Sequence, residues 1–303
     1  MIEAFIEGVN EGIELLVTVS DSTSTSKIQP FADKFPERVV NVGIAEQNLI
    51  GMSAGLALGG YVVATANAAP FLVNRSAEQV RNDIAYTDTN VKMMGLNPGF
   101  AYGALGPTHH SLEDLSMMRG LGGVRIYTPI DPRGTKDAVL HALRSDGPAY
   151  VRVDSGSYTD IPRPAAEHPV DEPLCLSSGS DLTLIGLGTA SHAVLSAVEI
   201  LNRRGAAVDA WAVPSLRPLN VDALVDSLMR TGKAITVEEH SVHGGLGSFV
   251  SELITDRGLA ALLVRLGVPE GEFAPASPRP AIRKRYSLDS EGIATVAKGA
   301  LES

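Results

Sequence analysis

The chain has 303 residues, 44% hydrophobic and 20% charged, enough for two globular domains with a core each. Its formal charge of -10, from 35 acidic and 25 basic residues, excludes nucleic acid and anionic membrane as main partners, because both need clustered Lys and Arg. A single cysteine, Cys175, excludes an internal disulfide or a multi-cysteine metal site and reads as a lone half-buried thiol.

From Met1 to Leu16 apolar and acidic residues alternate, with no basic leader and no apolar run of signal-peptide or membrane-span length, so cytoplasmic residence is the expectation. Strands are predicted at 15–19, 39–42, 61–65, 91–94, 124–127 and 149–153, and helices at 3–11, 45–58, 75–86, 111–120 and 134–145. Near-continuous apolar strands alternating with helices predict a parallel sheet covered on both faces. Across 155–179 the pattern lapses into Ser155-Gly156-Ser157 and prolines at 162, 164 and 169, which reads as a linker. The alternation resumes with strands at 182–187, 207–213, 233–238 and 261–266 and helices at 190–203, 221–230, 246–256 and 290–300. The expected fold is therefore α/β with two doubly wound domains, a mostly parallel-sheet domain over 1–154 and a smaller α/β domain over 180–303. The late basic run Arg283-Lys284-Arg285 reads as a solvated surface turn.

Three segments carry candidate chemistry. In Asn41-Val42-Gly43-Ile44-Ala45-Glu46-Gln47-Asn48 a strand ends, a glycine turns the chain and a helix begins. That helix is apolar almost throughout, which predicts burial on most sides. Glu46 thus stands at the C-terminal edge of a sheet, where ligands gather in parallel folds, though a first-turn glutamate also complements a helix dipole. The segment Gly103-Ala104-Leu105-Gly106-Pro107-Thr108-His109-His110 brings histidines to the sheet mouth, for proton transfer or as plain loop residues. Phe71, between a strand and a helix, offers either a flat stacking face or a core side chain. Two glycine motifs read as structural turns. Gly186-Leu187-Gly188-Thr189-Ala190-Ser191 lacks the third glycine of a dinucleotide fingerprint, and Gly244-Gly245-Leu246-Gly247 lacks the lysine of a phosphate loop.

Taken in order, Val42-Gly43-Ile44-Ala45-Glu46-Gln47, the loop at Phe71, Gly106-Pro107-Thr108-His109, Thr128-Pro129-Ile130-Asp131-Pro132 and Glu238 to Gly247 resemble the transketolase family over essentially the whole chain. The resemblance implies thiamine diphosphate as cofactor, bound between a pyrimidine-binding domain and a diphosphate-binding domain of another subunit. The latter carries a Gly-Asp-Gly motif for Mg²⁺, and no Gly-Asp-Gly occurs in this sequence. The chain therefore resembles the C-terminal subunit of a split transketolase, paired with a diphosphate- and Mg²⁺-binding N-terminal subunit and with a second copy of itself in an α2β2 assembly. Family roles carried onto matching positions make Glu46 the acid at the pyrimidine N1′ and Phe71 its stacking partner. They make His109 the group that meets substrate oxygens and moves protons, and Asp21 a residue near cofactor and substrate.

The substrate side departs from the family. Two arginines and a histidine that usually grip a sugar phosphate are replaced, by alignment, with Ile2, Ser155 and Asn97, and the acid ahead of Gly106 is replaced by Leu105. Arg75, Arg152 and Arg133 are candidate replacements for the grip, and bidentate arginine is the usual phosphate partner. His109, His110, Asp21 and Asn97 form the expected substrate set. The expected activity is two-carbon ketol transfer between a ketose and an aldehyde, with a sugar or keto substrate that is atypical or unphosphorylated. The alternatives are the β subunit of a 2-oxo-acid dehydrogenase, whose loop usually carries a Gln-His-Ser sequence, and a non-catalytic assembly partner.

Overall fold

The structure, a computed structural model, describes residues 1–21, 23, 26–163 and 168–302. Six strands form a parallel sheet in the order β5-β6-β4-β3-β1-β2: β1 (Leu15–Val19), β2 (Val39–Asn41), β3 (Val62–Ala68), β4 (Val91–Leu96), β5 (Arg125–Tyr127) and β6 (Ala149–Val153). β4 is buried along its whole length, as a central strand covered on both faces must be. On one face α1 (Ile2–Asn10) and α2 (Gln29–Lys34) pack with Phe5 edge-on to Phe31, ring centroids 5.8 Å apart. On the other lies α3 (Glu46–Leu58), followed by a helical stretch that opens in a wide π turn, Phe71–Arg75, passes through α4 (Ala77–Gln79) and widens again over Val80–Ala85. α5 (Asp114–Gly120) starts later than the predicted 111, because Gly99 and Ser111 exchange backbone hydrogen bonds of 3.0 and 3.1 Å and hold that stretch extended. α6 (Pro132–Arg144) starts on a proline behind Asp131, whose carboxylate accepts the Gly134 N–H at 2.7 Å.

The second sheet contains β7 (Leu174–Ser177), β8 (Leu182–Leu187) and β9 (Val208–Val213). β7 falls inside the stretch read as linker; it is a four-residue edge strand antiparallel to β9, too short for periodicity to reveal. Pro164 to Glu167, also in that stretch, and Ser22, Ser24, Thr25 and Ser303 lie outside the described residues. β10 (Ser215–Arg217) crosses back and pairs antiparallel with β5, so the C-terminal half supplies the seventh strand of the first sheet. β11 (Lys233–Ser241) and β12 (Leu262–Val268) complete the order β12-β11-β8-β9-β7. Around this sheet lie α7 (Ser191–Arg203), α8 (Asp222–Thr231), α9 (Leu246–Asp256), α10 (Arg279–Arg285) and α11 (Ser290–Glu302). Among the described residues no helix is long and apolar enough to cross a membrane.

The two halves share a core. One apolar cluster runs from Leu49, Ile84 and Leu115 to Leu187, Leu224 and Leu246, and Phe100 of the first domain enters the cluster of the second. Buried charges join them too. Asp154, just past β6, takes two hydrogen bonds from Arg279, at 2.9 and 2.5 Å, and one from Thr189 at 2.8 Å. Arg279 also donates to Glu239 of β11 at 2.8–3.1 Å, and Arg283 pairs with the same carboxylate. Burial raises the Asp154 pKa, but the Arg279 cation outweighs it and holds the group at about 2.

Three expectations are corrected here. Arg283 is not a solvated turn residue but faces inward from α10 to Glu239 and the Tyr158 hydroxyl. Cys175 is exposed on edge strand β7. Helix α3 is buried along one stripe only, through Glu46, Leu49, Ile50, Ser53 and Ala54, while Leu58 is 74% exposed and Ile44, ahead of it, 76%. Its sequence is apolar all round, but this chain supplies a neighbour for one face alone.

Candidate active site

The loops after β1 and β2 are stitched together at the C-terminal edge of the first sheet. The Ser20 hydroxyl donates to the Gly43 carbonyl at 2.7 Å and accepts the Ala45 N–H at 3.0 Å. Asn41 Oδ1 accepts the N–H groups of Asp21 and Gly43 at 2.9 and 3.0 Å. Gly43 has φ +73°, a left-handed turn that glycine adopts without strain. This scaffold delivers Glu46 as the first residue of α3, 5% exposed. Its Oε2 accepts a 2.7 Å hydrogen bond from Arg75 Nη1, while Oε1 has a long 3.5 Å contact with Asn67 Nδ2 from the end of β3.

Arg75 closes the π turn that begins at Phe71, and its guanidinium carbon lies 4.6 Å from the centre of the Phe71 ring. The other side of the group comes from the loop after β4. His109 meets Phe71 edge-on at 5.2 Å and Tyr102 at 5.7 Å, and the Thr108 hydroxyl lies 2.9 Å from its Nδ1. Glu46, Arg75, Phe71 and His109 are thus one chain of direct contacts. The other residues of the expected set stand just past strand ends or in the same histidine loop. Asp21 is exposed with φ +61° past the end of β1, and Asn97, φ +54°, follows β4 with its N–H on the Val153 carbonyl. His110 is 4% exposed: its Nε2 lies 3.0 Å from the Gly103 carbonyl and its ring stands edge-on to Phe100.

Of the three arginines read as replacements for the phosphate grip, Arg152 is fully engaged with Asp114, at 2.8 and 2.9 Å, beneath the histidine loop. Arg133 stands 4.0 Å from Asp137 at the start of α6, and Arg75 pairs with Glu46. The Arg75–Glu46 pair spans 29 positions of sequence and has no local signature; the four-residue spacing from Phe71 to Arg75 was the only hint. The Gly244–Gly247 turn is filled from within, since Glu238 accepts the N–H groups of Leu246 and Gly247 at 2.7 and 2.8 Å.

Residues 2–160 match the family model for the transketolase pyrimidine-binding domain, and residues 173–293 that for the transketolase C-terminal domain. The chain is 41% identical to an apulose-4-phosphate transketolase subunit of Actinobacillus succinogenes, over 98% of this chain and 96% of that one. It is 30% identical to the 6-deoxy-6-sulfo-D-fructose transketolase subunit SqwH of a Clostridium species, over 98% and 91%. Among solved structures, a split-gene transketolase described as an inactive beta4 tetramer superposes with a TM-score of 0.90 at 32% identity, covering 99% of this chain and 96% of that one. With both domains matched in order and relatives aligned over nearly its full length, the chain belongs to the transketolase family.

Proposed function

We propose that this chain is the pyrimidine-side subunit of a split, thiamine-diphosphate-dependent transketolase that moves a two-carbon ketol unit from a ketose to an aldehyde. The observation that carries the reading is the buried Glu46 carboxylate set in one contiguous group with Phe71 and His109 at the sheet edge. The donor set fits an aminopyrimidine: Glu46 Oε1 has a long 3.5 Å contact with Asn67 and retains hydrogen-bonding capacity, and Phe71 is a half-buried flat ring. When bound, the cofactor supplies at its thiazolium C2 the nucleophilic carbon that carries the two-carbon unit.

Glu46 holds the proton shared with the pyrimidine N1′, and Phe71 gives the ring its face. His109, its ring oriented by the Thr108 hydroxyl, meets the substrate oxygens and moves a proton there. Asp21 and Asn97 flank the substrate path. His110 supports the loop from beneath and is not kept as a substrate contact. A separate subunit supplies the diphosphate and Mg²⁺ half, and two copies of this chain sit in an α2β2 assembly. The naming of the relatives as transketolase subunits supports this, as does the description of the solved homologue as an inactive beta4 tetramer. Those names also support an atypical sugar as substrate. The cytoplasm is the proposed compartment.

The test is ketose formation by the complex reconstituted with the diphosphate-binding subunit. Glu46→Ala lowers the rate by at least ~10²-fold. An unchanged rate would leave this chain as a scaffold and sink the proposal.

A further inference from the structure

We propose that Arg75 is a positioning residue: one guanidinium holds the Glu46 carboxylate and the Phe71 ring in a fixed relation, as a template for a planar nitrogen heterocycle. The inference rests on the function proposed above and adds to it a residue that does not itself touch the reacting atoms. A carboxyl group buried as deeply as Glu46, whose side chain is 6% exposed, needs hydrogen-bond partners to offset its lost hydration and to hold it in place. Arg75 Nη1 is that partner, at 2.7 Å from Oε2. The oxygens therefore divide the work. Oε2 is anchored, and Oε1, with its 3.5 Å contact to Asn67, is the one left for a ring nitrogen.

The same guanidinium lies 4.6 Å from the Phe71 ring centre. Acid and ring are thus linked through one planar guanidinium, on a side chain 48% exposed, rather than through separate neighbours. The backbone is shaped for this. Phe71 and Arg75 open and close one π turn, a local widening that costs regular helical hydrogen bonds and recurs where side chains must be re-aimed. Lysine cannot replace this geometry, because its point charge does not present a flat, forked donor to a carboxylate and an aromatic face together. Committed in this way, Arg75 does not serve as a grip on the phosphate of a substrate.

The test uses Arg75→Met, Arg75→Lys, Glu46→Gln and the double variant E46Q/R75M, both in the reconstituted complex and in the free chain. In the complex, R75M lowers kcat on the order of 10²-fold while the KM for the sugar stays within about twofold. R75K recovers part of that loss, and E46Q/R75M is no slower than E46Q, because Arg75 acts through Glu46. In the free chain, R75M lowers the urea midpoint when Glu46 is present and leaves it unmoved in the E46Q background. The proposal is overturned by an R75M complex of parental kcat, by one that raises only the KM of a phosphorylated sugar, or by a double variant slowed by the product of the two single effects. An equal midpoint loss in both backgrounds overturns it as well. A full-rate R75M beside a dead E46Q removes this inference alone, whereas a full-rate E46Q removes the proposed function beneath it.

Discussion

Replacing Arg279 by methionine removes the cation at the centre of the domain interface, and the structure sets the size of the effect. The side chains of Arg279, Asp154 and Glu239 are only 16%, 7% and 6% exposed, so solvent screens them little. Arg283 still serves Glu239 after the change, whereas Asp154 keeps no cation, only the Gly156 N–H and the Thr189 hydroxyl, both at 2.8 Å, and a long 3.4 Å contact from the Tyr158 hydroxyl. Stranding one buried carboxylate in this way costs about 3–5 kcal/mol. Asp154→Asn is milder. The native carboxyl titrates at about 2 against an ordinary 3.8, worth about 2 kcal/mol. That contribution is present above pH 3.8 and is lost as pH falls through 2. The double variant R279M/D154N is therefore more stable than the sum of the single losses by at least about 1 kcal/mol. Urea unfolding at pH 7 reads all three. Trp211 of β9, the only tryptophan, reports the second domain, and far-ultraviolet circular dichroism reports both. The two probes coincide in the parent chain and separate in R279M, as expected when one of the links between the domains is removed. A loss below about 1 kcal/mol, or strict additivity, refutes the argument.

Four further outcomes follow. Glu238, raised by burial to about 7 despite its two backbone donors, penalises the folded state as pH climbs from 4.5 to 7. His240, lowered by burial to about 4, does the opposite below 6.5, so the readout is a difference: E238Q gains on the parent by up to about 3 kcal/mol across pH 4.5–7, measured by urea titration at each pH. Gly245→Ala drives a Cβ into Glu238 Oε2 and costs several kcal/mol or leaves the chain insoluble; thermal melts check it, with exposed Gly122→Ala, whose Cβ meets nothing within 4 Å, as the control. In the reconstituted complex, Phe71→Ala weakens cofactor binding by about fivefold, from a stacking loss near 1 kcal/mol, and His109→Ala lowers kcat by ~10²–10⁴-fold; titration calorimetry and initial rates read the two.

The parallel sheets were legible because strands buried on both faces must be apolar throughout, and β4 and β8 read so in sequence as in space. Glu46, Phe71 and His109 were legible because strand-to-helix loops in such a fold all open at one edge. β10 was not, since three residues after a proline carry no periodicity and its partner strand lies in the other domain. The local rule that reads a basic run as solvated failed at Arg283, whose carboxylate partner is 44 positions away. In sequence Arg75 is one of three cations that are candidates for a phosphate grip, and only the folded chain brings it to Glu46. Charge type is local information, whereas pairing depends on topology.

β10 also decides where this polypeptide tolerates being recombined. A chimera that exchanges the C-terminal domain at the Ser155–Ser180 stretch also replaces a strand of the neighbouring sheet, and a replacement that does not seat on β5 leaves an unpaired backbone rim, an invitation to self-association. Grafts that keep Ser215–Arg217 from the same parent as Arg125–Tyr127 escape that fate, so the natural cassette for shuffling is the pair of domains rather than either one.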